Sequence, residues 1–168
     1  GDSIVLADDV VGSSVENYGR LKVNGSTLNV TGGSIALHEI WANKGTLSQT
    51  GGTLSGAKDI VVGNGNDDYS MAVYSVTGGT ASVGSSLALA MGENAFGTLK
   101  ISGGAVQSES VRFGGTGSSA SPSDGYGVLE LTGGTLAVGA GGIYPLVGTW
   151  TKAGTFGARR PWYDIRLK

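Results

Sequence analysis

A Thr-Gly-Gly or Ser-Gly-Gly motif recurs along this chain and separates stretches in which apolar and polar residues alternate. Copies of the motif end at Gly52, Gly79, Gly104 and Gly134. A glycine pair reaches positive φ without steric cost, so each copy predicts a corner between two short strands. Recurrence at a nearly constant interval predicts a stack of similar units.

The position of the first copy determines the register of the repeat. A further Thr-Gly-Gly ends at Gly33, only 19 residues before the next copy. Residues 21–30 align with residues 129–138, and this alignment places the first corner at Gly25-Ser26 instead of Gly33. The predicted coils are then spaced by 26, 27, 25 and 30 residues, and they start at Leu21, Leu47, Tyr74, Leu99 and Leu129.

Each predicted coil contains three short strands with alternating inward and outward residues. Glycine interrupts every window long enough for a helix. A sandwich or propeller built of hairpins is the rival, because Gly-Gly also forms tight hairpin turns. Equivalent residues match from coil to coil, which favours parallel stacking. We therefore predict an all-β, parallel β-helix or solenoid of about five to six three-strand coils. The general crossover rule makes it right-handed.

Composition limits the classes of function. Glycine accounts for 32 of 168 residues, and the net charge of -2 gives no reason to expect nucleic acid or a membrane as partner. The absence of cysteine excludes disulfides and thiolate metal sites. No apolar run reaches the length of a transmembrane helix, and no signal peptide opens the chain. Because the sequence starts at Gly1-Asp2, we expect a processed or trimmed product.

The C-terminal segment differs from the repeats. We expect solenoid coils over residues 1–145 and a basic, aromatic segment over residues 146–168. Two interpretations of this segment stay open, a cap on the last coil and a docking segment for end-to-end assembly. Acidic residues crowd the first turn and basic residues the last, which favours a head-to-tail contact. The candidate assembly surface consists of Asp2, Asp8, Asp9, Glu16, Arg159, Arg160, Trp162, Tyr163, Arg166 and Lys168.

Insertions gather between the third strand of one coil and the first strand of the next, an edge that solenoids often use for binding. Aromatic residues precede several coil starts, with acidic residues nearby. One interpretation is an aromatic packing ladder beside solvated acids. The other is a stripe for sugar or calcium. The candidate ligand edge consists of Tyr18, Asp67, Asp68, Tyr69, Phe96 and Tyr126.

Cofactor and catalytic signals are weak. The loop over residues 63–68 matches one imperfect copy of a calcium-binding glycine-aspartate repeat, and no other cofactor is expected. His38 is the single histidine and has no second ligand nearby, so we expect no metal centre there. Catalysis on polysaccharides needs charged groups clustered on neighbouring coils. One outward column offers a single opposite-charge pair, and we predict no enzyme. That column contains Lys22, Ser48, Ser75, Lys100 and Glu130.

Residues 97–105 and 127–135 share the pattern G-x-L-x-[VIL]-[ST]-G-G-[TA]. This pattern resembles the glycine-rich repeats of autotransporter passengers and PEP-CTERM-associated surface proteins, over about residues 3–145. The resemblance implies a bacterial extracellular or cell-surface location. It also implies a structural role as a stalk, an adhesin segment or a self-assembling fibre subunit that stacks head-to-tail.

The alternative function is a carbohydrate-binding or polysaccharide-cleaving β-helix that uses the loop edge. The expected partners are further copies of the chain in an oligomer or filament, or surface glycans. Neither nucleic acid binding nor membrane insertion is expected.

Overall fold

A computed structural model shows an all-β chain whose described residues form strands and tight corners. The residues described are 3–6, 10–11, 20–37, 39–56, 58–65, 70–92, 94–114, 125–145, 148–152, 155–159 and 162–168. The strands are β1 (Ser3–Leu6), β2 (Val10–Val11), β3 (Arg20–Val30), β4 (Ser34–Leu37), β5 (Glu39–Gln49), β6 (Thr53–Gly56), β7 (Asp59–Gly65), β8 (Ser70–Val76), β9 (Thr80–Gly92), β10 (Ala95–Phe113), β11 (Tyr126–Pro145), β12 (Gly148–Lys152), β13 (Thr155–Arg159) and β14 (Trp162–Leu167).

Parallel pairings join equivalent positions of successive segments in three columns. Column A aligns Ile4, Leu28, Leu47, Tyr74, Leu99, Leu129 and Ile165. Column B aligns Val10, Ile35, Leu54, Ala81, Val106 and Leu136. Column C aligns Leu21, Ile40, Ile60, Leu87, Val111 and Ile143. Among the described strands, the only antiparallel pair is β12 with β13.

Several strands continue around a corner and so belong to more than one column. β10 pairs with β8 in column A and with β9 in columns B and C. As a result β5, β7, β9, β10 and β8 are joined in a closed ring of parallel pairings within a 12-stranded sheet. The prediction of three separate strands per coil did not include this continuity. β12 and β13 form a second, two-stranded sheet.

The predicted register is wrong for the first coil. Leu28 pairs with Leu47, whereas Leu21 pairs with Ile40 in column C. The corner of this coil is at Gly33, which has a φ of 62°, and not at Gly25-Ser26. Every strand of the first coil is therefore displaced by one column from its predicted place.

The short interval of 19 residues before Gly52 is real because this coil carries no insertion. Its column C strand ends at Ala42, and column A resumes at Gly45. In the next coil the corresponding positions are Val62 and Ala72, so a longer segment intervenes. The prediction that length varies between the third strand and the next first strand is confirmed.

The glycine corners from the second predicted copy onward are confirmed. The second glycine of each pair has positive φ, between 65° and 75° at Gly52, Gly79, Gly104 and Gly134. A Cβ at Gly104 would lie 2.6 Å from the carbonyl oxygen of Gly79 on the neighbouring segment. Stacked corners therefore leave no room for a side chain, and this explains why glycine recurs at these corners.

The hydrophobic core occupies the space between the three columns. The inward side chains of column A are fully buried at Leu47, Tyr74 and Leu99, and those of column C at Ile60 and Leu87. Burial of an aliphatic side chain contributes about 1.5–3 kcal/mol. A second apolar cluster lies on the outward side of column C and contains Trp41, Val61, Ala88 and Met91.

Candidate assembly edge and side-chain ladders

The last strand of column A is paired along one edge only among the described strands. β14 pairs in parallel with β11, and it stands at the end of the described strand order. The Lys168 N–H donates to the Leu131 carbonyl at 3.0 Å. Successive backbone groups of a strand point to opposite edges, so the N–H groups of Ile165 and Leu167 point away from β11. At the opposite end of column A, β1 pairs only with β3 among the described strands.

Interior positions at this end of the sheet are partly open to solvent. Ile165 and Leu167 continue the inward register of column A, yet they are 40% and 70% exposed. Leu129, one segment earlier in the same column, is buried. The exposed pair marks an apolar end face that the described residues leave partly uncovered.

Tyr163 covers part of the end face. Its ring centroid lies 5.2 Å from that of buried Phe113. Tyr163 stands in register with Gly127, where a Cβ would lie 2.5 Å from the Phe113 ring. A large side chain fits at Tyr163 because no further segment stacks on it in the described structure. Tyr163 therefore packs against the buried Phe113 ring while it stays 50% exposed itself.

Charged residues form a ladder along the outward face of column A. Lys100 Nζ lies 3.6 Å from Glu130 Oε1, as the sequence predicted. Glu130 is in register with Arg166, whose Nε donates to Asp164 Oδ2 at 2.8 Å. The hydrogen bond to Asp164 raises the pKa of Arg166. Lys22 does not belong to this column, because it pairs with Trp41 in column C.

An apolar ladder borders the charged one. Met71, Phe96 and Tyr126 are in register on three neighbouring segments, and Trp162 follows in β14. The ring centroids of Phe96 and Tyr126 are 6.3 Å apart, with the planes tilted by 42°. Met71 is 71% exposed and Phe96 40%. The rings of Phe96 and Tyr126 therefore lie beside each other on neighbouring strands.

Two polar residues of the core satisfy each other. The Tyr74 hydroxyl donates to Gln49 Oε1 at 2.6 Å, and Gln49 Nε2 donates to the carbonyl of Thr80 at 2.8 Å. Both side chains are completely buried. Burial raises the pKa of Tyr74. Gln49 does point inward as predicted, and its amide bridges two columns.

A buried ion pair, which the sequence reasoning missed, lies beside column C. Arg112 Nη2 is 3.4 Å from Asp59 Oδ2, and the Ser86 N–H donates to Asp59 Oδ1 at 3.0 Å. Ser110 Oγ and Ser86 Oγ are 3.0 Å apart. Arg112 Nε is buried without a partner among the described residues. Only the register of column C brings these charges together, so their spacing in the chain gave no signal.

A cavity of about 310 Å³ opens on the outward side of column B. It is lined by Ser82, Gln107 and Ala137, which share one register, and by Glu109. The Glu109 carboxylate accepts a hydrogen bond from the Gly141 N–H at 3.1 Å. Glu109 is the one charged residue of the described cavity lining, and its carboxylate is therefore already hydrogen-bonded to the backbone of the next segment.

Many of the predicted site residues lie outside the described residues. Arg159 ends β13 and Trp162 begins β14, while Arg166 and Lys168 are exposed. The residues of the sequence predictions that lie outside the described part of the chain are Asp2, Asp8, Asp9, Glu16, Tyr18, His38, Asp67, Asp68, Tyr69 and Arg160. The predicted calcium loop is described only as far as Gly65, the last residue of β7.

The described side chains include no group of three or more His, Cys, Asp or Glu residues arranged to hold a metal ion. Within the same part of the chain, no helix is long and apolar enough to cross a membrane.

Comparison with known proteins gives no relative from which a function can be transferred. No protein-family model, curated protein or solved structure matches the chain.

Proposed function

We propose that this chain is a non-enzymatic structural β-solenoid of a bacterial cell surface, a stalk, adhesin segment or fibre subunit that assembles end to end. The three columns of parallel pairings support the solenoid interpretation, because each turn of chain places equivalent residues one strand spacing further along. Column A is the main support for this interpretation, since seven strands share one register from Ile4 to Ile165. A right-handed winding follows from the crossover rule.

The interior supports a structural role. Two of its buried side chains are held by hydrogen bonds between strands, Gln49 by the Tyr74 hydroxyl and Asp59 by the Ser86 N–H. Buried polar groups that are satisfied in this way rigidify a core. An exposed strand edge at β14 adds a surface on which further strands can pair.

Light scattering across protein concentration and ionic strength tests the assembly role. We expect the molar mass to rise above the 16.8 kDa of one chain as concentration increases. High salt should weaken the association if opposite charges at the two ends contribute, because salt screens exposed charges. A single mass of 16.8 kDa at every salt and protein concentration would exclude assembly.

A second candidate function is glycan binding at the loop edge. The contact of Phe96 with Tyr126 favours it, since exposed aromatic faces stack on sugar rings. Glycan-array binding that is lost in Phe96→Ala and Tyr126→Ala, and retained in Ser82→Ala on another face, would support this function. Turnover of any acidic polysaccharide would show instead that the chain is an enzyme.

A further inference from the structure

We propose that β1 of one copy of this chain adds to the free edge of β14 of another copy and so continues column A as a parallel sheet between molecules. This inference rests on the proposed assembly role and specifies its junction. The partner is a second copy because, among the described strands, β1 and β14 stand at opposite ends of one column of equivalent strands.

The register of the junction follows from the pairings within the chain. Ser3 aligns with Thr27, and successive pairings carry that register to Asp164. In the junction Ser3 therefore aligns with Asp164 of the other copy, and Ile4 aligns with Ile165. Leu6 reaches Leu167 by the same alignment.

Burial of the apolar end face favours this occupant. Ile165 and Leu167 occupy inward register positions that are buried earlier in the column, but here they are 40% and 70% exposed. Ile4 and Leu6 are at the inward register positions of β1, since they align with the buried residues Leu28 and Val30. The junction would then align apolar residues with apolar residues, as neighbouring segments of the column do.

Charge favours a head-to-tail orientation over a contact between like ends. The first sixteen residues contain the acids Asp2, Asp8, Asp9 and Glu16. Arg166 and Lys168 are exposed at the other end. Like ends would bring charges of one sign together, whereas unlike ends attract. A contact between different surfaces of identical chains does not close and gives a filament.

Disulfide trapping between two single-cysteine variants tests the register. The chain has no cysteine, so Ser3→Cys in one preparation and Asp164→Cys in another cross-link only between molecules. Neighbouring strands are about 4.8 Å apart, which lies within the Cα separation of disulfides. We expect the mixture to form a covalent dimer on mild oxidation. Thr98→Cys is the matched control, because Thr98 has the register of Asp164 on an internal strand that is paired on both sides.

Cross-linking of Ser3→Cys to Thr98→Cys as readily as to Asp164→Cys would overturn the proposed register. So would the absence of any cross-link in a mixture that assembles.

A pair of charge variants separates the junction from the assembly role. Leu167 and Met71 are 70% and 71% exposed, but only Leu167 lies on the end face. We expect Leu167→Lys to raise the dissociation constant about tenfold or more, because the junction would bury an unpaired charge. Met71→Lys should leave it unchanged, and circular dichroism would confirm that both variants fold.

If Met71→Lys dissociates the assembly and Leu167→Lys does not, the proposed assembly role stands and the β1–β14 junction is wrong. If the wild-type chain never associates, the assembly role itself is wrong.

Discussion

The hydroxyl of Tyr74 donates to the side-chain oxygen of Gln49 at 2.6 Å, between neighbouring strands in the interior of column A. Gln49 occupies a position that other segments fill with aliphatic residues, and Tyr74 occupies the position of Leu47 and Leu99. The two exceptions to the apolar column are therefore adjacent. Because the Tyr74 hydroxyl donates the hydrogen bond that the Gln49 oxygen accepts, the apolar column accommodates both residues.

Tyr74→Phe should destabilise the fold by about 1–3 kcal/mol, because it leaves the buried Gln49 oxygen without its donor. The double variant Tyr74→Phe/Gln49→Leu should recover most of this loss, since it removes both partners. Urea unfolding of Tyr74→Phe, Gln49→Leu and the double variant measures the coupling free energy between the two side chains. If the loss of stability in the double variant equals the sum of the losses in the two single variants, the hydrogen bond contributes nothing to stability.

Alkaline conditions should destabilise the protein through Tyr74. Burial raises its folded-state pKa above the usual value of 10.0, so the unfolded chain loses this proton first as the pH rises. The stabilising contribution is complete below the unfolded pKa and declines as the pH rises beyond it. The free energy of unfolding should therefore fall more steeply above about pH 10 in the wild type than in Tyr74→Phe. Parallel curves for the two proteins would contradict this expectation.

Removal of one partner of the buried ion pair should be costly. Asp59→Ala leaves the Arg112 guanidinium buried without its carboxylate, and we expect a loss of about 3–5 kcal/mol. Asp59→Ala/Arg112→Met should recover much of it. Lys100→Ala, which breaks an exposed pair with Glu130, is the control and should change stability by less than about 1 kcal/mol. A loss in Asp59→Ala no larger than that of the control would show that the pair is not desolvated.

Two glycines with the same φ separate backbone strain from stacking. Gly104 and Gly142 have φ values of 70° and 71°. A Cβ added at Gly104 would collide with the neighbouring corner, whereas one added at Gly142 would have no atom of the described residues within 4 Å. Gly142→Ala should cost about 1–2 kcal/mol from φ alone. Gly104→Ala should cost clearly more, because its Cβ collides with the neighbouring corner. Thermal unfolding compares them, and equal losses would refute close stacking of the corners.

Period-two alternation and glycine corners together predicted the columns correctly from Leu47 onward. The register predicted for the first coil was wrong because apolar and polar residues alternate both over residues 21–30 and in the stretch that begins at Leu28. Two registers therefore fit the pattern equally well. The pairing of Leu28 with Leu47 depends on tertiary contacts that no single window contains. The Asp59–Arg112 pair was missed for the same reason, since its partners are 53 residues apart. The open end at Leu167 likewise becomes visible only when the stack is assembled.

Stacking in one column is the central claim, and a distance between spin labels tests it most directly. Ser48 and Arg166 share the outward register of column A and are separated by four strand spacings, or about 19 Å. Cysteine labels at these two sites, diluted with unlabelled protein, should give a narrow distribution of distances near this value in a dipolar electron resonance measurement. A broad distribution, or one centred beyond about twice that distance, would show that the segments do not stack as parallel strands.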